Sequence, residues 1–223
     1  VFNWINENER LIGLLLESSW ETILMVFVSG LVAVIFGLPL AVLLRETQAG
    51  GMYEHKRLNQ IIGAIVNAGR SVPFIILLVA IIPFTRWLVG SSIGTAAAIV
   101  PLAVAAVPFI ARLFEGALME VPSGLTEAAK AMGATPQQII LKVQLPEALP
   151  GLINAITITL VTLVSYSAMA GAVGGGGLGD VGIRYGYQRF DGTVMLITIV
   201  MLVAFVQLIQ SIGDALVRRV NHR

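Results

Sequence analysis

Leu125-Thr126-Glu127-Ala128-Ala129-Lys130-Ala131-Met132-Gly133, followed by Val143-Gln144-Leu145-Pro146, lies in a hydrophilic stretch, Arg112–Glu147, set between two very apolar ones. Trp87–Ala111 precedes it with 25 residues and Ala148–Gly179 follows it with 32, and neither carries a charge. A helix needs about 20 apolar residues to cross the hydrocarbon core of a bilayer. A polar island between two such columns has to emerge at a membrane face. Its reading therefore decides the fold: an all-α integral membrane protein with a surface insert shaped like a docking element.

Two more charge-free runs meet the length requirement, Thr22–Leu44 with 23 residues and Gly192–Gly213 with 22. Leu58–Thr85 is long enough but contains Arg70, and the unbroken part, Ser71–Thr85, is too short to span alone. The pattern predicts five transmembrane helices in a single membrane domain over residues 1–223, with the insert 112–147 between the third and fourth.

Composition agrees. The chain is 57% apolar and 12% charged, against about a quarter charged in soluble domains. Fourteen Lys and Arg balance thirteen Asp and Glu, which offers nothing to nucleic acid. There is no cysteine, so disulfides and thiolate metal sites are excluded. His55 and His222 are the only imidazoles and are not at ligand spacing; no metal site is expected.

Orientation follows the basic residues. With the N-terminus outside, the inner side holds Arg45, Lys56, Arg57, Arg112, Lys130, Lys142, Arg218, Arg219 and Arg223. The outer side holds Arg10, Arg86, Arg184 and Arg189. Nine against four, with Arg70 unassigned, favours N-out and C-in, which puts the insert in the cytoplasm. The acidic N-terminal flank (Glu7, Glu9, Glu17, Glu21) is unlike a signal peptide, and the first span is expected to be retained. Trp4, Ile5, Leu11, Ile12, Leu15 and Leu16 fall roughly on one face, so residues 1–21 read as a short outer interfacial helix or as a loosely ordered tail.

Local signals divide the insert into two short helices. Ser123 is a candidate N-cap and Gly133 a C′ residue of left-handed conformation. Thr135 caps the second helix, Pro136 takes its first position, Gln138 closes a capping box, and the helix ends before Pro146. Ala128, Ala129 and Ala131 allow close approach of a partner, and Glu127 and Lys130 can pair with each other or across an interface. A plain helical hairpin on the membrane surface fits the same residues.

Glu127, Ala128, Ala129, Gly133, Leu145 and Pro146 resemble the E-A-A-x3-G-x9-I-x-L-P signature of ABC importer permeases, with Val143 where isoleucine is usual. From about Trp20 to Tyr187 the chain is similar to the methionine-importing members. Arg70–Ile75, Ile82–Arg86, Ala131–Pro136, Tyr166–Met169, Gly177–Gly179 and Tyr185–Tyr187 carry that likeness. The resemblance implies a type I ABC importer permease of the bacterial inner membrane. It implies coupling to a separate ATPase through Glu127, Ala128, Ala129, Lys130, Met132, Gly133, Ala134, Thr135, Pro136, Val143, Leu145 and Pro146. Substrate identity, methionine as L or D isomer and close analogues, rests on it entirely.

The energy source is absent from the chain. No G-x-x-x-x-G-K-[ST] phosphate loop occurs. Gly174–Gly179 formally satisfies G-x-G-x-x-G, but it follows a membrane helix rather than a strand. It reads as an irregular turn at the outer end of the fourth span, or as a simple flexible loop. By resemblance this region faces the external gate and a binding protein, with Gly176, Gly177, Leu178 and Gly179 in contact. Asp, Glu and His, which relay protons or ions in secondary carriers, are missing from the four clean spans.

Candidates for the solute path are Arg70, Pro73, Phe109, Ser165, Tyr166 and Met169. Arg70 either snorkels to the inner interface or faces a wet vestibule; Asn67, one turn earlier, shares its face. Val-Pro-Phe-Ile occurs at 72–75 and again at 107–110. Asn154, Thr157 and Ser165 lie near one stripe of the fourth span, which suits an aqueous route or helix packing equally. By resemblance, Met169 belongs to the gate with its copy in a second subunit.

The expected protein is thus a non-enzymatic permease acting as a homodimer by alternating access. Its partners are two ATPase subunits that bind ATP and Mg, an external methionine-binding protein, and lipid. The chain itself needs no cofactor. A permease for another polar amino acid or small organic solute, or a stand-alone secondary carrier, remains open.

Overall fold

The computed structural model describes residues 2–220, with side chains from Arg10 onward; Trp4, Ile5, His222 and Arg223 lie outside the described side chains or residues. Among the described residues the chain is helical without strands. Its elements are α1 (Phe2–Thr47), α2 (Lys56–Ser71), α3 (Phe74–Ala80), α4 (Ile82–Val89), α5 (Thr95–Met119), α6 (Ser123–Ala131), α7 (Pro136–Ile139), α8 (Leu145–Glu147), α9 (Leu149–Gly171), α10 (Gly177–Val181) and α11 (Gly192–Val220). Wide π turns, Ile140–Gln144 and Gly182–Tyr187, come after α7 and α10.

Among the described residues, four helices are long and apolar enough to cross a membrane: Arg10–Thr47, Thr95–Met119, Leu149–Gly171 and Gly192–Val220. A fifth crossing exists only if α2 and α3 count as one broken span, since they meet at a bend of 99°. The second expected span is therefore not a straight helix. Pro73 lacks an N–H and holds the residue before it away from helical geometry, so the apolar run continues while its direction changes. The third span also starts later than expected. Trp87 belongs to α4, which Gly90 closes in the left-handed conformation, and α5 begins after Gly94, also at positive φ. Its C-terminus runs past Ala111 to Met119, so the first residues of the polar insert extend the membrane helix.

Of the expected outer segment 1–21, the described residues 2–21 do not form a separate helix. They open α1, an unbroken 46-residue helix, about 69 Å long at about 1.5 Å per residue, more than twice the roughly 30 Å hydrocarbon core. Between α1 and α2 the chain turns in a wired corner. Glu46 accepts from the Met52 N–H at 3.0 Å, Asn59 donates to the Leu44 carbonyl at 2.7 Å, and His55 Nδ1 accepts from the Leu58 N–H at 3.1 Å.

The chain divides into two compact units. The first comprises Val1–Leu31, Val72–Ala105 and Leu160–Ile209. Leu15, Leu178, Val181 and Val194 form a buried cluster within it, flanked by Leu11, Leu14 and Met201. The second comprises Val32–Ser71, Ala106–Thr159 and Gln210–Arg223. Here small residues allow helices to approach: a Cβ on Gly69 would lie 3.1 Å from Pro108 Cγ, and one on Gly151 would lie 2.9 Å from Ala117 Cβ.

Candidate functional site

The insert displays its polar helix to the outside. Pro122, with φ −58° and ψ 129°, stands at the N-cap of α6. Ser123 is thus the first helical residue rather than the cap, because proline already holds the chain extended before the helix begins. The other end agrees with the expectation. Gly133 has φ +80°; its N–H donates to the Lys130 carbonyl at 2.9 Å, and the Ala134 N–H donates to the Ala129 carbonyl at 3.1 Å, a Schellman closure. The Gln138 N–H donates to Thr135 Oγ1 at 3.3 Å, and the Thr135 N–H donates to Gln138 Oε1 at 2.9 Å. This reciprocal capping box fixes the start of α7.

The second helix does not end before Pro146. It widens into the π turn and passes through Pro146 into α8. A proline ring clashes with the carbonyl four residues earlier in a regular α-helix, and the wider turn just before Pro146 relieves that conflict.

Glu127, Ala128, Lys130, Met132, Gly133, Thr135 and Pro136 are exposed. Ala129, at 4% exposure, faces the fold, while Ala134, Val143 and Leu145 are half-buried and Pro146 is exposed. Glu127 and Lys130 do not pair with each other, unlike Arg112 with Glu115 and Arg184 with Asp180. Met132, 82% exposed, and Leu141, 64% exposed, place apolar side chains in the open beside these polar ones. Leu141 was not among the sequence candidates. Its signal was present, since it lies two residues beyond buried Ile139 and so points away from it.

The path candidates divide between the two units. In the second, Arg70 is exposed at the end of α2, with its guanidinium carbon 6.0 Å from the centre of the Phe109 ring. Asn67 accepts at Oδ1 from Arg112 Nε at 3.2 Å. In the first, Tyr166 stacks on Phe74 at 4.5 Å with the rings 3° from parallel, directly after Pro73. Ser165 and Met169 are exposed on α9. Asn154 is exposed too, but Thr157 is buried and donates to the Ile153 carbonyl at 2.9 Å. The stripe read from the sequence thus loses its threonine to packing.

The glycine run folds into a hydrogen-bonded turn. Gly174, Gly176 and Gly177 have φ of +89°, +79° and +77°, a region in which only glycine is at ease. The Gly94 N–H donates to the Gly174 carbonyl at 2.8 Å. Glu21 Oε2 accepts from the Gly177 N–H at 2.6 Å, and Thr22 Oγ1 accepts from the Leu178 N–H at 2.9 Å. Gly177, Leu178 and Gly179 are buried and Gly176 is partly exposed, so an external partner at this place would meet Gly176 and the turn before it. Sequence reasoning missed Glu21 and Thr22 as partners of this turn.

Residues 33–222 match the family described as binding-protein-dependent transport system inner membrane component. The chain is 63% identical over 210 residues to a probable D-methionine transport system permease protein MetI of Vibrio cholerae, covering 94% of this chain and 93% of that one. It is 59% identical over 164 residues to the D-methionine transport system permease protein MetI of Escherichia coli, covering 74% and 76%. A solved structure of the MetNI methionine ABC transporter in an inward facing conformation contains a chain 57% identical to this one, with a TM-score of 0.95 and 96% and 99% coverage. An amino acid ABC transporter solved with histidines shares the fold at 18% identity and a TM-score of 0.76.

Proposed function

The chain belongs to the family of binding-protein-dependent transport system inner membrane components, and from that premise we propose that it is the permease subunit of an ATP-driven methionine importer. The observation that carries this is near end-to-end similarity to chains named for methionine transport, at 57–63% identity. The exposed insert with its capped helices supports the same reading.

Two copies pair around the solute route, and each receives one ATPase subunit on α6 and its flanks. ATP and Mg belong to that partner. An external methionine-binding protein delivers L- or D-methionine to the outer face. The chain lies N-out and C-in with α2 and α3 as the broken fifth span, and the N-terminal part of α1 reaches the outer interface. Arg70, Pro73, Phe109, Ser165, Tyr166 and Met169 lie along the path. The exposure of Asn154, Ser165 and Met169 on α9 supports that assignment.

Proteoliposomes holding the complete complex and its binding protein test the proposal. Labelled methionine should accumulate only with ATP, and unlabelled methionine should compete better than other amino acids. Stronger competition by a different polar amino acid would reassign the substrate. Gradient-driven uptake by this chain alone would overturn the coupling to an ATPase.

A further inference from the structure

Arg112 uses all three of its guanidinium nitrogens. Nε donates to Asn67 Oδ1 at 3.2 Å, Nη1 to Glu115 Oε2 at 2.6 Å, and Nη2 to the Gly63 carbonyl at 3.2 Å. Two of the three acceptors belong to α2 and one to α5. The absence of a side chain at Gly63 gives access, because a Cβ there would lie 3.2 Å from Nη2. Glu115 is 8% exposed at its side chain. A buried carboxylate without a partner is costly, so Glu115 holds the guanidinium while the other two nitrogens grip α2. A lysine has no such planar fork.

The position of this fork gives it meaning. It sits near the end of α5, and only Glu120, Val121 and Pro122 separate that helix from α6. At the far end of α2, Gly69 packs on the Pro108 ring and Arg70 lies over Phe109. A displacement at α6 enters α5, and these two fastenings decide whether α2 moves with it.

We propose that Arg112 is a positioning residue of the transport cycle, a strap that makes α2 move with the end of α5 when force arrives at α6. The inference rests on α6 being the ATPase-docking helix. Without the strap, hydrolysis continues but the contacts of Gly69 with Pro108 and of Arg70 with Phe109 do not by themselves carry α2 along with α5.

The test uses the complete complex in proteoliposomes. Arg112→Met combined with Glu115→Gln removes the fork without leaving a bare carboxylate. Uptake of methionine should fall about tenfold while ATP hydrolysis stays within about twofold, since a coupling element is lost and not the catalytic one. A covalent substitute is available. A Cβ on Gly69 would be 3.3 Å from Pro108 Cβ, near the roughly 3.5–4.5 Å of disulfides, and the chain has no other cysteine. Adding Gly69→Cys and Pro108→Cys should restore uptake on oxidation, to about the level of the oxidised double-cysteine chain with native Arg112, and reduction should abolish the gain. Spin labels on cysteines at Gln60 and Met119, in complexes diluted with unlabelled chain so that label pairs fall within one protomer, should give one narrow distance in the native chain, with or without ATP, and a broad one in the Arg112→Met, Glu115→Gln chain. Uptake per ATP unchanged in that variant, or a formed disulfide that restores nothing, would overturn the strap. Failure of the native complex to import methionine would instead defeat the functional reading, and the label distances would then decide the strap by themselves.

Discussion

Glu21 Oε2 accepts a 2.6 Å hydrogen bond from the backbone N–H of Gly177, joining positions 156 residues apart. Thr22 does the same for Leu178, so two consecutive side chains of α1 satisfy the first two N–H groups of α10. Those groups have no partner within their own helix, and a carboxylate suits the positive end of the helix dipole. The geometry also explains the glycine. A Cβ on Gly177 would meet Thr22 Oγ1 at 2.7 Å and Met25 Cε at 2.6 Å, at a φ of +77°.

Glu21→Ala leaves the Gly177 N–H without its acceptor, at a cost of about 1–3 kcal/mol. For a chain of this size that lowers Tm by about 2–4 °C per kcal/mol. Thermal melts of the purified chain in detergent should show this loss, a smaller one for Glu21→Gln, which keeps an acceptor oxygen, and a larger one for Gly177→Ala. An unchanged Tm for Glu21→Ala would mean that the contact does not hold the turn.

Thr135→Ala removes one half of the capping box and costs about 1 kcal/mol of local stability. Gly133→Ala forces a Cβ into the left-handed region, at about 1–2 kcal/mol. Both residues are exposed, so the loss should stay local. Hydrogen exchange over residues 123–147 should quicken several-fold at these costs, about tenfold per 1.4 kcal/mol, while exchange in α9 stays as it was. Quickening spread evenly over the chain would refute a locally capped insert.

The legible features were those written within a few residues. Thr135, Pro136 and Gln138 declare their helix start because every atom of the capping box lies inside one turn, and Gly133 declares a helix end for the same reason. Ser123 misled because two adjacent residues offered a start and Pro122 took the cap. Hydropathy located the apolar runs but could not see direction, so the bend at Pro73 hid inside a run long enough to span. The continuity of α1 was missed because its polar opening looked like another element, although that opening holds no proline and the first in α1 is Pro39. Glu21 and Arg112 lay beyond local reading. One contact spans 156 residues, and the other joins α5 to α2 across 45 and 49.

If α6 docks the ATPase as proposed, Ala128 and Ala129 separate docking from folding. They are adjacent in the motif, yet Ala128 is exposed and Ala129 is buried. Ala129→Leu should overpack the insert at about 1–3 kcal/mol and lower Tm. Ala128→Trp should leave Tm alone and prevent co-purification with the ATPase. Glu127→Lys should weaken the same assembly in a salt-dependent way, as an exposed charge does. Normal assembly and pumping by both Ala128→Trp and Glu127→Lys would remove α6 from the interface.

Met169 is 47% exposed on α9, four residues beyond exposed Ser165 and therefore on nearly the same face. A thioether side chain is flexible and apolar, which suits a plug that seals against its copy and yields to solute. Truncation at an exposed site leaves no internal cavity, so the large penalty of a core Met→Ala change, about 2–5 kcal/mol, should be absent and Tm should hold. The cost should appear in transport instead. Met169→Ala is expected to pass methionine down its gradient without ATP and to lower the amount imported per ATP, whereas Met169→Leu, similar in volume, should stay tight. Efflux from preloaded proteoliposomes measures the leak directly. A Met169→Ala complex as tight and as well coupled as the native one would place the gate elsewhere on α9 or off it.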